Sequence, residues 1–505
     1  MKKLIKHIRT IIPVLFLLMA AGCGKDYLKT NPTDAVSGET VFATLDGAQV
    51  ALDGTYRILY TFGFTHYAFG QKSQDLASDL YGLDMVVHKG GPTHFDADYN
   101  FTGLALTSLA SRTGRAWDYY YKVINNANRI IANIDQITGL QEEKDNIKGQ
   151  ALCLRAYSYF YLINFYQHTY KGNENKPGVP LYSAPSADGA GRGTVQQVYD
   201  QINADLVQAQ TLLEGKTRSH PSHIDVRTVH AIHALAALQQ EDYPTAKEHA
   251  AAARQGIIPA TRAQYLGGTI FNTVNGPEYI WGVEVNAEQQ TSYASFYSQM
   301  DIASGGYASF GKQKKITKAL YDQIADGDVR KELFTTIAAG TVADPPLDQH
   351  KLRLRVAGNW ASDYLFIRAA EAYLIEAEAD YRTGDENSAR SVLAELIQTR
   401  YPAYSISNLS GQALLNEILL QRRIELWGEG RSYLDIKRLK TGLHRPTGDG
   451  NHTGWDLLNA TNKANNFPLP PAAINKEDQD PTFLYKIPQD ELDANAALKA
   501  SDQNP

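Results

Sequence analysis

The chain is poor in cysteine, and beyond its first 22 residues it has no long apolar run. Its 505 residues include only two cysteines, Cys23 and Cys153. Cys153 lies in an apolar stretch with helical character, where a buried and unreactive thiol is expected. A helix that crosses a bilayer needs about 20 consecutive apolar residues. No stretch after residue 22 meets that requirement, so the sequence predicts no spanning segment there.

Excess positive charge and recognisable catalytic motifs are also missing. The 49 Lys and Arg residues against 55 Asp and Glu residues give a formal net charge of −6, which implies no basic face for nucleic acid. Neither a nucleophile elbow nor a phosphate-binding loop nor a dinucleotide fingerprint occurs. His230 and His233 share a helix face, yet no third ligand stands at a convincing spacing. We therefore predict no metal, no cofactor and no enzymatic activity.

The amino terminus has the pattern of a signal peptide. Basic residues between Lys2 and Arg9 precede the apolar stretch Ile11–Met19, and Ala20-Ala21-Gly22 leads into Cys23. Small residues directly before a cysteine are similar to a bacterial lipoprotein signal; the alternative is an ordinary secretory signal. We expect residues 1–22 to be removed and Cys23 to carry the lipid that holds the mature chain, residues 23–505, to a membrane.

Apolar periodicity predicts a mainly α domain. Helical segments are expected at about 43–60, 116–254 and 363–439. Within them, 226–254 and 364–400 read as helical hairpins with small residues at the crossing, as in tetratricopeptide units. The second hairpin is predicted from Phe366, Ala370, Tyr373 and Ala377 at helical spacing and a turn at Gly384-Asp385. Since no 34-residue rhythm links the hairpins, a continuous solenoid is not expected.

Three irregular regions, at about 61–107, 259–312 and 440–480, are rich in glycine and aromatic residues. Their composition predicts loops displayed on the helical scaffold. Loops held by a rigid scaffold are common places for binding sites.

Several motifs resemble the SusD/RagB-like outer-membrane lipoproteins. They include the segment Arg368-x-x-Glu371-x-Tyr373, the block Glu425-Leu426-x-x-Glu429-Gly430-Arg431, and Gly149-Gln150-Ala151. The resemblance implies one SusD-like domain that binds a ligand through its loops. It also implies an outer-membrane location facing the cell exterior and a SusC-like TonB-dependent transporter as partner. The charges of the block, with Arg422, Arg423 and Asp435, are expected to pair with one another and stabilise the fold.

An oligosaccharide is the expected ligand; a peptide remains an alternative, and a glycoside hydrolase a third. Sugar rings have apolar faces and polar rims, so aromatic rings beside Asn or Asp are typical of their sites. The sequence around Trp281 is also typical of a buried strand. Should the predicted residues not bind the ligand, the loops around Trp360 and Trp455 are the next candidates. The predicted ligand residues are Asp79, Tyr81, Tyr99, Asn100, Trp281, Tyr293 and Tyr297. For hydrolysis the carboxylate pair considered is Asp75 with Asp79.

Overall fold

Helices are the main elements of the computed structural model, which describes residues 41–61, 65–87, 94–290, 293–341, 343–452 and 474–505. The α-helices are α1 Leu45–Thr61, α2 Gln71–Leu80, α3 Asp96–Tyr99, α4 Arg112–Ile134, α5 Gln141–Tyr166, α6 Val195–Leu213, α7 Val226–Gln240, α8 Tyr243–Arg254, α9 Arg262–Leu266, α10 Phe296–Met300, α11 Lys318–Tyr321, α12 Ala369–Arg382, α13 Glu386–Arg400, α14 Gly411–Glu425, α15 Ser432–Leu439 and α16 Gln489–Ala494. None of these combines the length and the apolar character that a membrane-spanning helix needs.

The strands are short and pair two by two. They are β1 Met85–Val87, β2 Pro177–Pro180, β3 Arg192–Thr194, β4 Tyr279–Val283, β5 Lys314–Ile316, β6 Tyr364–Arg368, β7 Leu443–His444 and β8 Asn475–Lys476. Each pair, β1–β5, β2–β3, β4–β6 and β7–β8, is antiparallel. The predicted mainly α fold class is confirmed. Cys23 and Trp455 lie outside the described residues, so lipidation of Cys23 stays a prediction.

The two predicted helical hairpins are α7–α8 and α12–α13. At the turn of each hairpin, an aspartate side chain caps the second helix by accepting a hydrogen bond from a backbone N–H that has no partner within the helix. The Asp242 side chain accepts from the Thr245 amide at 3.3 Å, and the Asp385 side chain accepts from the Ser388 amide at 3.0 Å. Gly384, with φ of 90°, supplies the left-handed turn between α12 and α13.

The hairpins pack together through α8 and α12. Ala246, Ala250 and Ala253 on α8 are fully buried, and their small side chains let the helices approach closely. At the edge of this contact the Arg254 guanidinium lies 4.2 Å from the Tyr373 ring centroid and pairs with Glu376. The predicted tetratricopeptide-like scaffold is thus built from hairpins distant in sequence.

Two local predictions were wrong. Phe366 is not helical; it lies in β6, and α12 begins only at Ala369. All five residues of β6 are buried, and a short run buried on both faces cannot be told from helix by periodicity. The region 61–107 is not simply a loop, because it contains α2, whose ten residues are all buried. Only three of its ten residues, Leu76, Ala77 and Leu80, are apolar, and so short an apolar stripe does not predict a buried helix.

A buried ion-pair network surrounds Arg368 at the end of β6. Its guanidinium donates to Glu278 at 2.7 Å, to Glu429 at 2.6 and 2.9 Å, and to Glu425 at 3.2 Å. The network as a whole balances four cations, Arg330, Lys351, Arg368 and Arg400, against four carboxylates, Asp328, Glu278, Glu425 and Glu429. Burial alone would raise the pKa of Glu425, but the arginines outweigh it and hold that pKa at about 2.

A second network surrounds Arg431 in the break between α14 and α15. Arg431 donates to both Glu371 oxygens at 2.6 and 2.8 Å and to the Tyr161 hydroxyl at 2.7 Å. The folding role predicted for Glu425, Glu429 and Arg431 agrees with these contacts. The expectation that the charged block pairs within itself holds only for Arg422 with Asp435. Most of its partners, such as Asp84 for Arg423, lie on other elements.

We predict that Arg431→Ala lowers the free energy of unfolding by roughly 3–5 kcal/mol, because it leaves the buried Glu371 carboxylate short of its main partner. Thermal and denaturant unfolding measure the change. The control Arg129→Ala removes an exposed arginine of α4 and should stay within about 0.5 kcal/mol of the parent. Equal stability of the two variants would contradict the scaffold role of Arg431.

Candidate ligand-binding surface

Four of the predicted ligand residues are core aromatics. Tyr81, Tyr99 and Trp281 are 0% exposed and Tyr297 is 1% exposed. A ring without an accessible face cannot stack on a ligand in this conformation. The platform predicted from these residues is therefore not at the surface.

Their polar atoms bind other parts of the fold. The Trp281 indole N–H donates to the Ser222 carbonyl at 3.1 Å, and the Tyr297 hydroxyl donates to the Asp363 carbonyl at 2.6 Å. The Tyr81 hydroxyl donates to Asp98 at 2.8 Å. Each of these residues ties a loop to the scaffold, which accounts for a polar aromatic at a buried position.

The Asp79 side chain is also buried and hydrogen-bonds to other parts of the protein. It is 4% exposed, and its carboxylate accepts from the backbone amides of Gly430 at 2.8 Å and Ser432 at 3.3 Å. Burial raises the pKa of Asp79 to about 7 in spite of these two hydrogen bonds. Gly430 is required beside it, because a Cβ there would lie 2.7 Å from the Asp75 Cα. Asp79 thus joins α2 to the start of α15.

Tyr293 and Asn100 are placed differently. Asn100 is half-buried at the end of α3, where its backbone N–H donates to the Asp96 backbone carbonyl. Tyr293 is 43% exposed. Of the predicted aromatic residues, it alone presents a large part of its ring at the surface.

Tyr293 belongs to a group of neighbouring rings that we call the aromatic patch. Its ring centroid lies 5.8 Å from that of Tyr307 and 6.3 Å from that of Trp360. Tyr307 in turn lies 4.6 Å from His94, which is 5.7 Å from Tyr67. All members are exposed or half-buried, and they are His66, Tyr67, His94, Tyr293, Tyr307 and Trp360.

Polar groups border these rings. The Tyr307 hydroxyl lies 2.6 Å from His66 Nδ1, and Arg115 donates to the Tyr67 hydroxyl at 2.8 Å. Burial, and next the charge of His66, lower the pKa of His94, so its imidazole is neutral at pH 7 and can both donate and accept. The patch therefore suits a ligand with apolar faces and a polar rim.

A cavity of about 640 Å³ lies beside α14 and α15 but offers different chemistry. Its tryptophan, Trp427, is 4% exposed. Its charged side chains pair with each other, as Arg422 does with Asp435 and Arg423 with Asp84. These two arginines are thus paired within the fold, although Arg422 Nη1 has no hydrogen-bond partner among the described residues; with Trp427 buried as well, we do not place the ligand there.

The histidines of α7 pack against the hairpin partner. The rings of His233 and His249 stack with centroids 3.9 Å apart, and His230 Nδ1 lies 2.7 Å from His249 Nδ1. Burial lowers the pKa of His233 to about 3. Within the described ranges, no group of three or more His, Cys, Asp or Glu residues is arranged to hold a metal ion.

Two family models match the chain. Residues 93–237 match a SusD-like model described as starch-binding associating with outer membrane, and residues 355–505 match the SusD family model. The chain belongs to the SusD/RagB family. SusD-like protein P2 of Formosa agariphila is 24% identical to it over 477 residues, which cover 85% of this chain and 90% of that protein.

Solved structures share the SusD fold. A SusD-like carbohydrate binding protein from Bacteroides vulgatus aligns with a TM-score of 0.79 at 27% identity, covering 92% of this chain and 98% of that one. Surface glycan-binding protein A from Bacteroides thetaiotaomicron aligns with a TM-score of 0.70 at 17% identity, covering 92% and 100%. At 17% identity the second similarity concerns the fold alone.

Sequence reasoning found Tyr293 and named Trp360 as a further candidate, but it did not select Tyr67 and Tyr307 as ligand residues, and it missed His66 and His94. Both histidines lie in or next to aromatic-rich stretches, His66-Tyr67 and His94-Phe95. Had imidazoles been counted with the other rings, the first irregular region would have drawn attention to them.

We predict effects of different size on stability for two aromatic residues of the second irregular region. Trp281→Ala should lower the free energy of unfolding by about 3–5 kcal/mol, because it leaves a large cavity in the core. Tyr293→Ala should change it by less than about 1 kcal/mol. Denaturant unfolding of both variants checks this. A stable Trp281→Ala variant beside a destabilised Tyr293→Ala variant would contradict the division into core and surface rings.

Proposed function

We propose that this SusD/RagB-family protein captures an oligosaccharide at the outer membrane and passes it to a SusC-like TonB-dependent transporter. The observation that carries the proposal is the aromatic patch, in which Tyr293, Tyr307 and Trp360 lie side by side at the surface. The similar structure from Bacteroides vulgatus is named as a carbohydrate binding protein, which supports the choice of ligand.

The patch would hold the sugar by two kinds of contact. Apolar C–H faces of the sugar ring would stack on Tyr293 and Trp360, since aromatic rings bury much area at small entropic cost. Hydroxyl groups on the rim would hydrogen-bond to the neutral His94 imidazole and to the tyrosine hydroxyls. A surface of this kind favours a chain of sugars over a single one, because several rings are available in a row.

We propose binding without cleavage. The carboxylates considered for hydrolysis, Asp75 and Asp79, are 1% and 4% exposed. Asp75 accepts from Gln71 and pairs with Lys72, and Asp79 accepts two backbone amides. A hydrolase needs two carboxyl groups that flank the scissile bond in an open cleft. Asp75 and Asp79 are instead buried and hydrogen-bonded to other parts of the protein.

Anchoring completes the proposed role. Lipid on Cys23 would hold the protein to the outer membrane, facing the cell exterior, while the solute crosses through the partner. A binder fixed beside its transporter raises the effective concentration of the ligand at the transporter.

We expect Trp360→Ala and Tyr307→Ala each to weaken oligosaccharide binding at least tenfold, about 1.4 kcal/mol. Loss of either ring removes apolar area from the contact with the sugar; because Trp360 also packs against the core, thermal unfolding of each variant accompanies the binding measurement. Retardation on a glycan panel would select the ligand, and calorimetry with the mature protein would measure the affinity. Tyr381→Ala, which removes a half-buried tyrosine of α12 outside the patch, is the matched control.

Three results would contradict this proposal. Parent-like affinity in both patch variants would place the ligand elsewhere, and release of shortened products from the panel would make the protein an enzyme. Tighter binding of peptides than of any glycan would change the ligand class.

Gentle detergent extraction followed by pull-down should recover the protein together with a large β-barrel transporter. Cys23→Ala should move the protein to the soluble fraction, because it removes the acylated residue. Immunoblots of membrane and soluble fractions measure this. A Cys23→Ala variant that remains in the membrane, or a parent protein recovered without a barrel, would count against the anchor or the partner respectively.

A further inference from the structure

Positive charge lies close to the aromatic patch. At its Tyr67 end, the guanidinium carbon of Arg115 on α4 lies 4.7 Å from the Tyr67 ring centroid, and Arg115 donates to the Tyr67 hydroxyl at 2.8 Å. Tyr67 in turn contacts His94, with ring centroids 5.7 Å apart. Because the whole chain has a formal net charge of −6, a cation at this place is a local feature and not a consequence of the composition.

Arg115 keeps hydrogen-bonding capacity for a ligand. Its Nε donates to the Ala110 carbonyl at 2.9 Å and its Nη2 to Tyr67. Within the described ranges, Nη1 makes no hydrogen bond and Arg115 forms no ion pair. The side chain is half-buried, so part of it reaches the surface. A guanidinium binds carboxylates and other oxyanions through charge-assisted hydrogen bonds, and here no carboxylate of the protein occupies it.

Two lysines add charge beneath the rings. Lys312 and Lys314 are 2% and 0% exposed. Lys312 pairs with Asp96 at 2.9 Å. The Lys314 ammonium donates to the Gln299 side chain at 2.9 Å and to the Lys312 carbonyl at 3.1 Å. In the part of the chain that the structure describes, no carboxylate lies within ion-pair distance of Lys314. Its charge, like that of Arg115, is therefore not balanced by a neighbouring anion.

The pKa of His94 reflects these charges. After burial, the charges that lower it are those of His66, Lys314 and Lys312, all of them cations. Burial and the charge of Lys312 also lower the pKa of Lys314 to about 7, so a bound anion would favour its protonated form. Among the described residues, no Asp or Glu side chain hydrogen-bonds to a residue of the patch or forms an ion pair with one. An anion at the patch would thus be attracted without a carboxylate beside it to repel it.

We propose that the aromatic patch prefers an acidic oligosaccharide, one that carries a carboxylate or a sulfate group, and that Arg115 binds this group. The inference rests on the proposed capture of oligosaccharides at the patch and specifies their chemical class. The acidic sugar would lie at the Tyr67 end, next to Arg115. Uncharged parts of the ligand would stack on Tyr293 and Trp360 at the other end of the row of rings.

The test compares acidic glycans with neutral partners of the same backbone. Trigalacturonic acid and its methyl ester form the carboxylate pair, and neocarratetraose sulfate and its desulfated form are the sulfate pair. Calorimetry at pH 7 with the mature protein measures all four. We expect the acidic member of at least one pair to bind at least tenfold more tightly than its neutral partner. A preference in one pair only identifies the anion and supports the proposal.

Salt gives a second readout. Raising the ionic strength to about 0.5 M should reduce the preference for the acidic member, because salt screens the attraction between charges that are accessible to water. The affinity of the neutral member should change little. A preference for the acidic member that stays the same at high salt would contradict an attraction between charges.

Substitutions at Arg115 locate the preference. Arg115→Gln removes the charge and should reduce the ratio of acidic to neutral affinity at least tenfold, whereas Arg115→Lys keeps the charge and should retain most of that ratio. The ratio separates charge from folding, since a general disturbance of the patch weakens both members of a pair. Arg129→Gln removes an exposed arginine of the same helix and should leave both affinities unchanged.

Three outcomes would overturn the inference. They are acidic members that bind no more tightly than their neutral partners in both pairs, undetectable binding of both acidic members at millimolar concentration, and an acidic preference unchanged in Arg115→Gln. In each case, a neutral glycan whose binding is weakened in Trp360→Ala would leave the proposed capture of oligosaccharides standing. Parent-like affinity of the patch variants for every glycan would instead refute the capture at the patch itself.

Discussion

The buried pairing of Arg368 with Glu278, Glu425 and Glu429 is the interaction on which the remaining structure depends. Charges leave water at a high cost, which is recovered only when every partner is in place with good geometry. Arg368 ends β6, Glu278 precedes β4, and Glu425 and Glu429 flank the end of α14. Because these four side chains must meet, their pairing fixes the position of the β4–β6 strand pair relative to the surrounding helices.

The position of the aromatic patch depends on further core contacts, those of α10. Its six residues come from separate stretches of the chain, and the core residues beside them set where each stretch lies. Tyr297 of α10 holds the Asp363 carbonyl just before β6, while Gln299 of the same helix donates to the His66 carbonyl at 2.8 Å. Asp79 then joins α2 to α15. Tyr297 and Gln299 thus tie the stretch before β6 and the stretch at His66 to the same helix, α10.

Local sequence signals predicted the scaffold well. Caps such as Asp242 and Asp385, and the small residues of α8, act over a few residues and were readable without tertiary information. The binding surface was harder, because Tyr81 and Tyr293 have the same chemistry and both lie in irregular regions. What separates them is burial by distant segments. Similarly, α2 was not predicted because only three of its ten residues are apolar, although distant segments bury all ten.

Hydrogen exchange of the mature protein, with and without its best-binding oligosaccharide, tests the central claim most directly. The technique reports protection for each segment of the backbone. We predict added protection in the segments that carry His66, His94, Tyr293, Tyr307 and Trp360, with unchanged exchange in α2, β4 and the break between α14 and α15. Protection gained instead around Trp427 and α14, with none at the patch, would contradict the account.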